Sequence, residues 1–221
     1  MRILFLGLNF WPEPTGIGKY SSEMVEYLSQ AGHKVTVITS FPYYPYWHIQ
    51  PPYDRKRGYQ REQWKGVEII RCPLYVPQKV TGIKRIIHLL SFSFSSFPVV
   101  LREKAKRPDL IFTVEPSLFA AVSVNRGKKD HSLTWLHIQD FELDAGLSLG
   151  LLKRIPFVEN LARTWESRVY RNFEKVSTIT HHHMDDPAAL VYALDPRARD
   201  GRAFARKACP GTIHLLFSQL D

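Results

Sequence analysis

Pro12-Glu13-Pro14-Thr15-Gly16-Ile17-Gly18 sets two glycines between an apolar run and a helical pattern. Glycine at such a junction lets backbone approach a ligand, and the helix that follows offers unpaired N–H groups and the positive end of its dipole. A diphosphate suits Gly16 and Gly18 there. The same glycines would also serve a plain turn, and Ser21 stands where a full G-x-G-x-x-G fingerprint needs its third glycine. A second candidate is Leu136-His137-Ile138-Gln139-Asp140: His137 can face a cleft and Asp140 can orient a polar ligand, or the histidine can be structural. The segment Phe41 to His48 carries Tyr44 and Trp47. Aromatic rings stack on sugar faces, sit at membrane interfaces, or pack on their own domain. The run Ile83 to Leu90, with Lys84 and Arg85, has a basic side and an apolar side. It can lie on an anionic membrane or pack on a sheet.

These segments need elements to hold them. Ile3 to Leu8 is continuously apolar apart from Gly7, as in a parallel strand covered on both faces. A helical pattern over Tyr20 to Leu28 follows, with Gly32 placed as its terminating glycine. Val35–Thr39, Val67–Arg71, Leu110–Val114, Leu133–Ile138 and Val176–Thr180 read as strands. Ile83–Lys106, kinked or split at Pro98, Leu118–Asn125 and Phe157–Phe173 read as helices, and Phe41–Tyr59 as a long loop. Alternating strands and helices predict an α/β fold with a doubly wound parallel sheet. Ligands of such sheets bind at the carboxyl ends of the strands, which is where the candidate segments lie.

The formal net charge of +9 favours an anionic partner: nucleic acid, acidic membrane or phosphate-bearing substrate. Scattered basic residues without an RNP-like or helix-turn-helix pattern argue against nucleic acid. Cys72 and Cys209 match no metal or redox spacing and suit a reduced, cytosolic protein. The opening apolar run is too short for a signal peptide, and no stretch reaches the ~18 apolar residues of a span. A P-loop and a G-x-S-x-G elbow are both missing. His181 to His183 have no carboxylate or cysteine framework around them, so no metal is expected.

After Thr180 the character changes: residues 181–221 hold seven alanines against six in 1–180. Residues 1–180 are therefore expected to form the domain, and 181–221 a poorly ordered tail, frameshifted or foreign.

The text MRILFLGLNFWPEPTGIGKYSSEMVEYLSQAGHKVTVITSFPYYP, together with GVEIIRCPLYVP and LHIQDFELDAGLSLGLL, resembles the family 4 glycosyltransferases of the GT-B fold. It is most similar to those of colanic-acid and O-antigen biosynthesis, and the similarity covers about residues 1–180. The resemblance implies one Rossmann-like half of a two-domain enzyme. That half holds the acceptor, a polyprenyl-linked sugar, on the cytoplasmic side of the membrane. It implies that Gly16 lies near the donor diphosphate and that His137 lines the sugar site as the catalytic residue. It also implies a retaining transfer, with a nucleotide sugar as co-substrate and no bound cofactor. The family's E-x7-E donor motif is matched in spacing by Glu166 and Glu174, but these fall in a helical pattern without a glycine between them. The match is read as coincidence. The chain alone is then expected to be inactive.

Two other readings compete. One is a non-catalytic module that binds a membrane or a glycan. The other, an NAD-type oxidoreductase, lacks its acidic residue after strand two, where Thr39-Ser40-Phe41 stand.

Overall fold

The computed structural model describes residues 1–54, 58–116, 118–124, 131–139, 164–179, 191–194 and 206–207. In chain order these form β1 (Arg2–Gly7), α1 (Gly16–Gln30), β2 (Lys34–Ser40), β3 (Gln60–Trp64), β4 (Val67–Cys72), α2 (Gly82–Lys104), β5 (Leu110–Glu115), α3 (Leu118–Val124), β6 (Leu133–Ile138), β7 (Lys175–Ile179), β8 (Val191–Leu194) and β9 (Arg206–Lys207). A further helical segment covers 164–170.

The sheet runs β3-β4-β2-β1-β5-β6-β7-β8-β9. From β4 to β7 every neighbour is parallel, and β3, β8 and β9 are antiparallel additions at the two edges. Alternation of side chains along each strand divides the core into two layers. On one face Val25 and Leu28 of α1 cover Phe5, Val37, Ile69, Phe112 and Trp135. On the other, Leu89, Phe92 and Val100 of α2 and Ala120 and Ala121 of α3 cover Leu6, Ile38, Ile70, Ile111 and Leu136. Burial on both faces is why β1 reads as a nearly unbroken apolar run, and each large buried side chain contributes roughly 1.5–3 kcal/mol.

Helix α1 ends as its sequence asks. Gly32 takes φ +85°, and the N–H groups of Gly32 and His33 bond to Ser29 O and Leu28 O, a Schellman closure. Helix α2 continues through Pro98 as one helix.

Three expectations need adjustment. Strand β3 has no counterpart among the expected elements; it folds back on β4 through Lys65 and Gly66, both at positive φ, in the twist a two-residue hairpin requires. The helical segment before β7 stops at 170, so Glu174 lies beyond it, its Oε2 accepting from the Thr134 N–H at 3.0 Å. Beyond β7, β8 and β9 extend the sheet edge. Asp140, Asn125, the start of the expected helix at Phe157, His181 to His183 and most of 181–221 lie outside the described residues.

Candidate functional site

Strands β1 and β5 are neighbours, but the chain leaves them toward opposite sides of the sheet, β1 to β2 and β5 to β6. A crevice opens at such a switch point, beyond the carboxyl ends of the strands. Here it is a cleft of about 210 Å³. Its walls are Asn9 after β1, Gly16 and Ile17 at the start of α1, Tyr43, Tyr44 and Trp47 after β2, Arg85 and His88 on α2, and Pro116 after β5.

Glu13 does not line the cleft but is bonded to residues that do. A carboxylate in a loop meant for a diphosphate would repel it, but this one turns inward. Its Oε1 accepts from the backbone N–H groups of Tyr43 and Tyr44, each at 3.0 Å, and its Oε2 accepts from Asn9 Nδ2 at 2.9 Å. Glu13 therefore ties the loop after β1 to the aromatic loop after β2. Burial raises its pKa, and the hydrogen bonds and the Arg71 charge offset that only in part.

The two glycines have different duties. Gly16 sits at φ +59°, where a side chain is strained, and faces Tyr44 across the cleft. Gly18 is buried, and a Cβ there would lie 2.7 Å from Glu13 Cβ and Oε2. Its smallness makes room for Glu13 rather than for a ligand. The N-terminus of α1 has neither a side-chain cap from Thr15 nor an acidic residue in its first turn. Its dipole end is thus left to whatever enters the cleft.

The aromatic loop forms the wall. Tyr43, Trp47 and His88 make a three-ring cluster, with centroids 4.7 Å apart for Tyr43–His88 and 5.5 Å for both other pairs. Trp47 holds φ +53°, a left-handed backbone uncommon for a bulky residue. His88 is 1% exposed and its Nδ1 lies 2.5 Å from Tyr75 O. Desolvation lowers its pKa, and the nearby Arg85 charge adds to that.

Arg71 braces the base of this loop. It is wholly buried, with Nε 2.6 Å and Nη2 2.5 Å from Glu62 Oε1 on β3, and it donates to Ser40 O and Trp11 O. Its guanidinium also lies 4.6 Å from the Tyr53 ring centroid. The hairpin that escaped the sequence pattern is what neutralises this buried cation.

His137 stands apart from the cleft walls. Residue alternation puts it on the α1 face of β6, with Trp135, against Phe112 at 6.0 Å between ring centroids. Ser177 Oγ accepts the Trp135 indole N–H at 2.9 Å and lies 2.9 Å from His137 Nδ1. The residue is only part-exposed, and desolvation lowers its pKa to about 4.

Of the residues singled out in the sequence, the fold gathers Gly16, Tyr44 and Trp47 around one cleft. It keeps Gly18 in the packing beneath, and His137 is not among the lining residues. Asp140 is outside the described residues. Sequence reasoning missed Glu13, Asn9 and the cleft position of Arg85 and His88. A signal for Glu13 was present, an acidic side chain set between two prolines beside the glycines.

The glycosyl transferase 4-like domain family matches residues 15–200. A protein of Escherichia coli (strain K12) named as the colanic acid biosynthesis glycosyl transferase WcaI is 44% identical over 188 residues, covering 84% of this chain and 46% of its own length. Among solved structures, a sucrose-phosphate synthase from Thermosynechococcus elongatus matches with a TM-score of 0.49 and 14% identity, over 80% of this chain and 41% of that one. A ugt transferase from Siraitia grosvenorii in complex with UDP matches with a TM-score of 0.43 and 14% identity, over 81% and 45%. The chain spans about half the length of the curated relative, 46% of it.

Proposed function

Because this chain belongs to the glycosyl transferase 4-like family, we propose that it forms the acceptor-side half of a glycosyl transferase of polysaccharide biosynthesis. The acceptor is a lipid-linked glycan and the donor a nucleotide sugar. The acceptor hydroxyl oxygen bonds to the anomeric carbon. The bond from that carbon to the nucleoside diphosphate breaks with its electron pair on phosphate oxygen, which takes up the hydroxyl proton, and the anomeric configuration is retained. The protein's part is positioning and stabilisation of the leaving phosphate.

The observation that carries this reading is the switch-point cleft itself. It combines two rings for a sugar face, a cation, and an uncapped helix start at a glycine that needs positive φ. Gly16 approaches the diphosphate, Tyr44 and Trp47 pack on sugar, and His137 and Asp140 serve the same ligand in the whole enzyme. On this reading donor binding falls to the part of the relative's length outside the match, which covers 46% of it, and the 221 residues do not turn over by themselves. The test joins this chain to the second half of the E. coli relative and measures transfer to a polyprenyl-diphosphate-linked sugar. Turnover by the joined protein and none by the chain alone supports the reading. No turnover in either leaves the non-catalytic glycan- or membrane-binding module.

A peripheral place on the inner face of the cell membrane follows from the acceptor. No described helix is long and apolar enough to cross a membrane. Helix α2 instead exposes Ile83, Ile87, Phe94 and Leu101 along one side, beside Lys84. Such a surface suits the headgroup boundary of an anionic bilayer.

A further inference from the structure

We propose that His88 and Arg85 recognise a sugar phosphate in the cleft: the His88 Nε2 takes a hydrogen bond from a ligand hydroxyl while Arg85 holds the same ligand's phosphate. This rests on the reading of the cleft as the acceptor site, and adds the residues that recognise the ligand.

The tautomer follows from the partner. Tyr75 O can only accept, so the Nδ1 that lies 2.5 Å from it carries the proton. Burial and the Arg85 charge keep the ring neutral near pH 7, so Nε2 is a bare lone pair. That atom is buried and has no hydrogen-bond partner. Unmade hydrogen bonds of this kind are rare and unfavourable inside proteins. The neighbouring rings of Tyr43 and Trp47 pack on the imidazole and do not donate to its Nε2. A hydroxyl is the group that completes it, since a fully ionised phosphate ester has no proton to give.

Arg85 lies one turn earlier on α2, lines the same cleft, and forms no ion pair among the described residues. A buried acceptor next to a cation thus selects a ligand with a hydroxyl beside an anion, such as a sugar phosphate. Nε2 is buried from solvent. Trp47 borders both the imidazole and the cleft, at 5.5 Å from the former and with its backbone at φ +53°. On this proposal the Trp47 ring turns aside to admit the ligand.

The test uses the full chain labelled with 15N-histidine and titrated at about pH 8 with glucose 1-phosphate and with methyl phosphate, whose phosphates are fully ionised there. The His88 Nε2 resonance should move to its hydrogen-bonded position with glucose 1-phosphate and stay in place with methyl phosphate. Glucose 1-phosphate should bind about tenfold more tightly than methyl phosphate, the worth of one hydrogen bond. His88→Phe should remove that tenfold while leaving methyl phosphate affinity unchanged, and His88→Gln, which restores an acceptor oxygen, should recover part of it. Arg85→Gln should weaken both ligands. Failure of either ligand to bind, saturation without a shift at Nε2, or equal affinities in wild type and His88→Phe would overturn the assignment. None of these touches the transferase reading, which stands on turnover by the joined protein. A responsive Nε2 with no turnover there would instead leave a glycan-phosphate binding module.

Discussion

Gly18 and Glu13 share one volume: a Cβ on Gly18 would come within 2.7 Å of both Cβ and Oε2 of Glu13. The first turn of α1 is thereby coupled to the aromatic loop, because the displaced carboxylate is the one bonded to Tyr43 and Tyr44. Gly18→Ala should cost about 1–3 kcal/mol in urea unfolding, the range for overpacking a filled core. Gly16→Ala meets open space apart from Tyr44 and bears chiefly the strain of its φ, about 1 kcal/mol. A larger loss at Gly16 than at Gly18 would contradict this division of duties.

Glu13 gives the chain a stability term of definite sign. Its folded pKa is raised above the ordinary value of 4.5. Between those two values the folded state holds a proton that the unfolded state has lost. The contribution is therefore full below 4.5 and is lost as pH rises through the folded pKa. Glu13→Gln, an amide of the same shape, should gain stability relative to wild type over that rise. Parallel profiles for the two proteins would show that the carboxyl stays ionised.

His137 contributes with the opposite sign. Its folded pKa of about 4 lies below the ordinary 6.5, so the unfolded state binds the proton first. The term is full above 6.5 and disappears as pH falls toward 4, and His137→Ala should flatten stability across that window. In the joined two-domain protein the same variant should lower kcat on the order of a hundredfold, as for loss of one positioned hydrogen-bond group. An unchanged kcat with a flattened pH profile would make the residue structural, held by Ser177.

Vesicle binding should depend on the outer side of α2. Ile83 is 73% exposed and Phe94 77%, so Ile83→Glu and Phe94→Glu should leave the melting temperature within about 1–2 °C, a surface effect. Both should abolish sedimentation with anionic vesicles. Wild-type binding should fall as salt rises, since exposed charges are screened over about 8–10 Å near physiological ionic strength. Equal sedimentation with neutral vesicles would remove the basic residues from the account.

The sequence by itself determined the elements whose signals are local. A nearly continuous apolar run marks β1, because a strand covered on both faces has no polar side to show, and a β-branched run marks β2. Gly32 marks the end of α1, because its φ is unfavourable for other residues. A doubly wound parallel sheet with its ligand site at the carboxyl ends of the strands was legible as a class of fold, whereas the strand order that puts the cleft between β1 and β5 was not. Tertiary structure alone decided who faces that cleft. Glu13 turns inward because two N–H groups some thirty residues away in sequence wait for it. β3, too short and polar to announce itself, is fixed by pairing with β4 and by the buried Arg71 it neutralises. His88 reads in sequence as one more position on an amphipathic helix, whereas His137 stands at a strand end and draws the eye. Which histidine meets the cleft depends on the register of α2 against the sheet and on the alternation along β6. Both are set by long-range packing, which spacing within either segment does not encode.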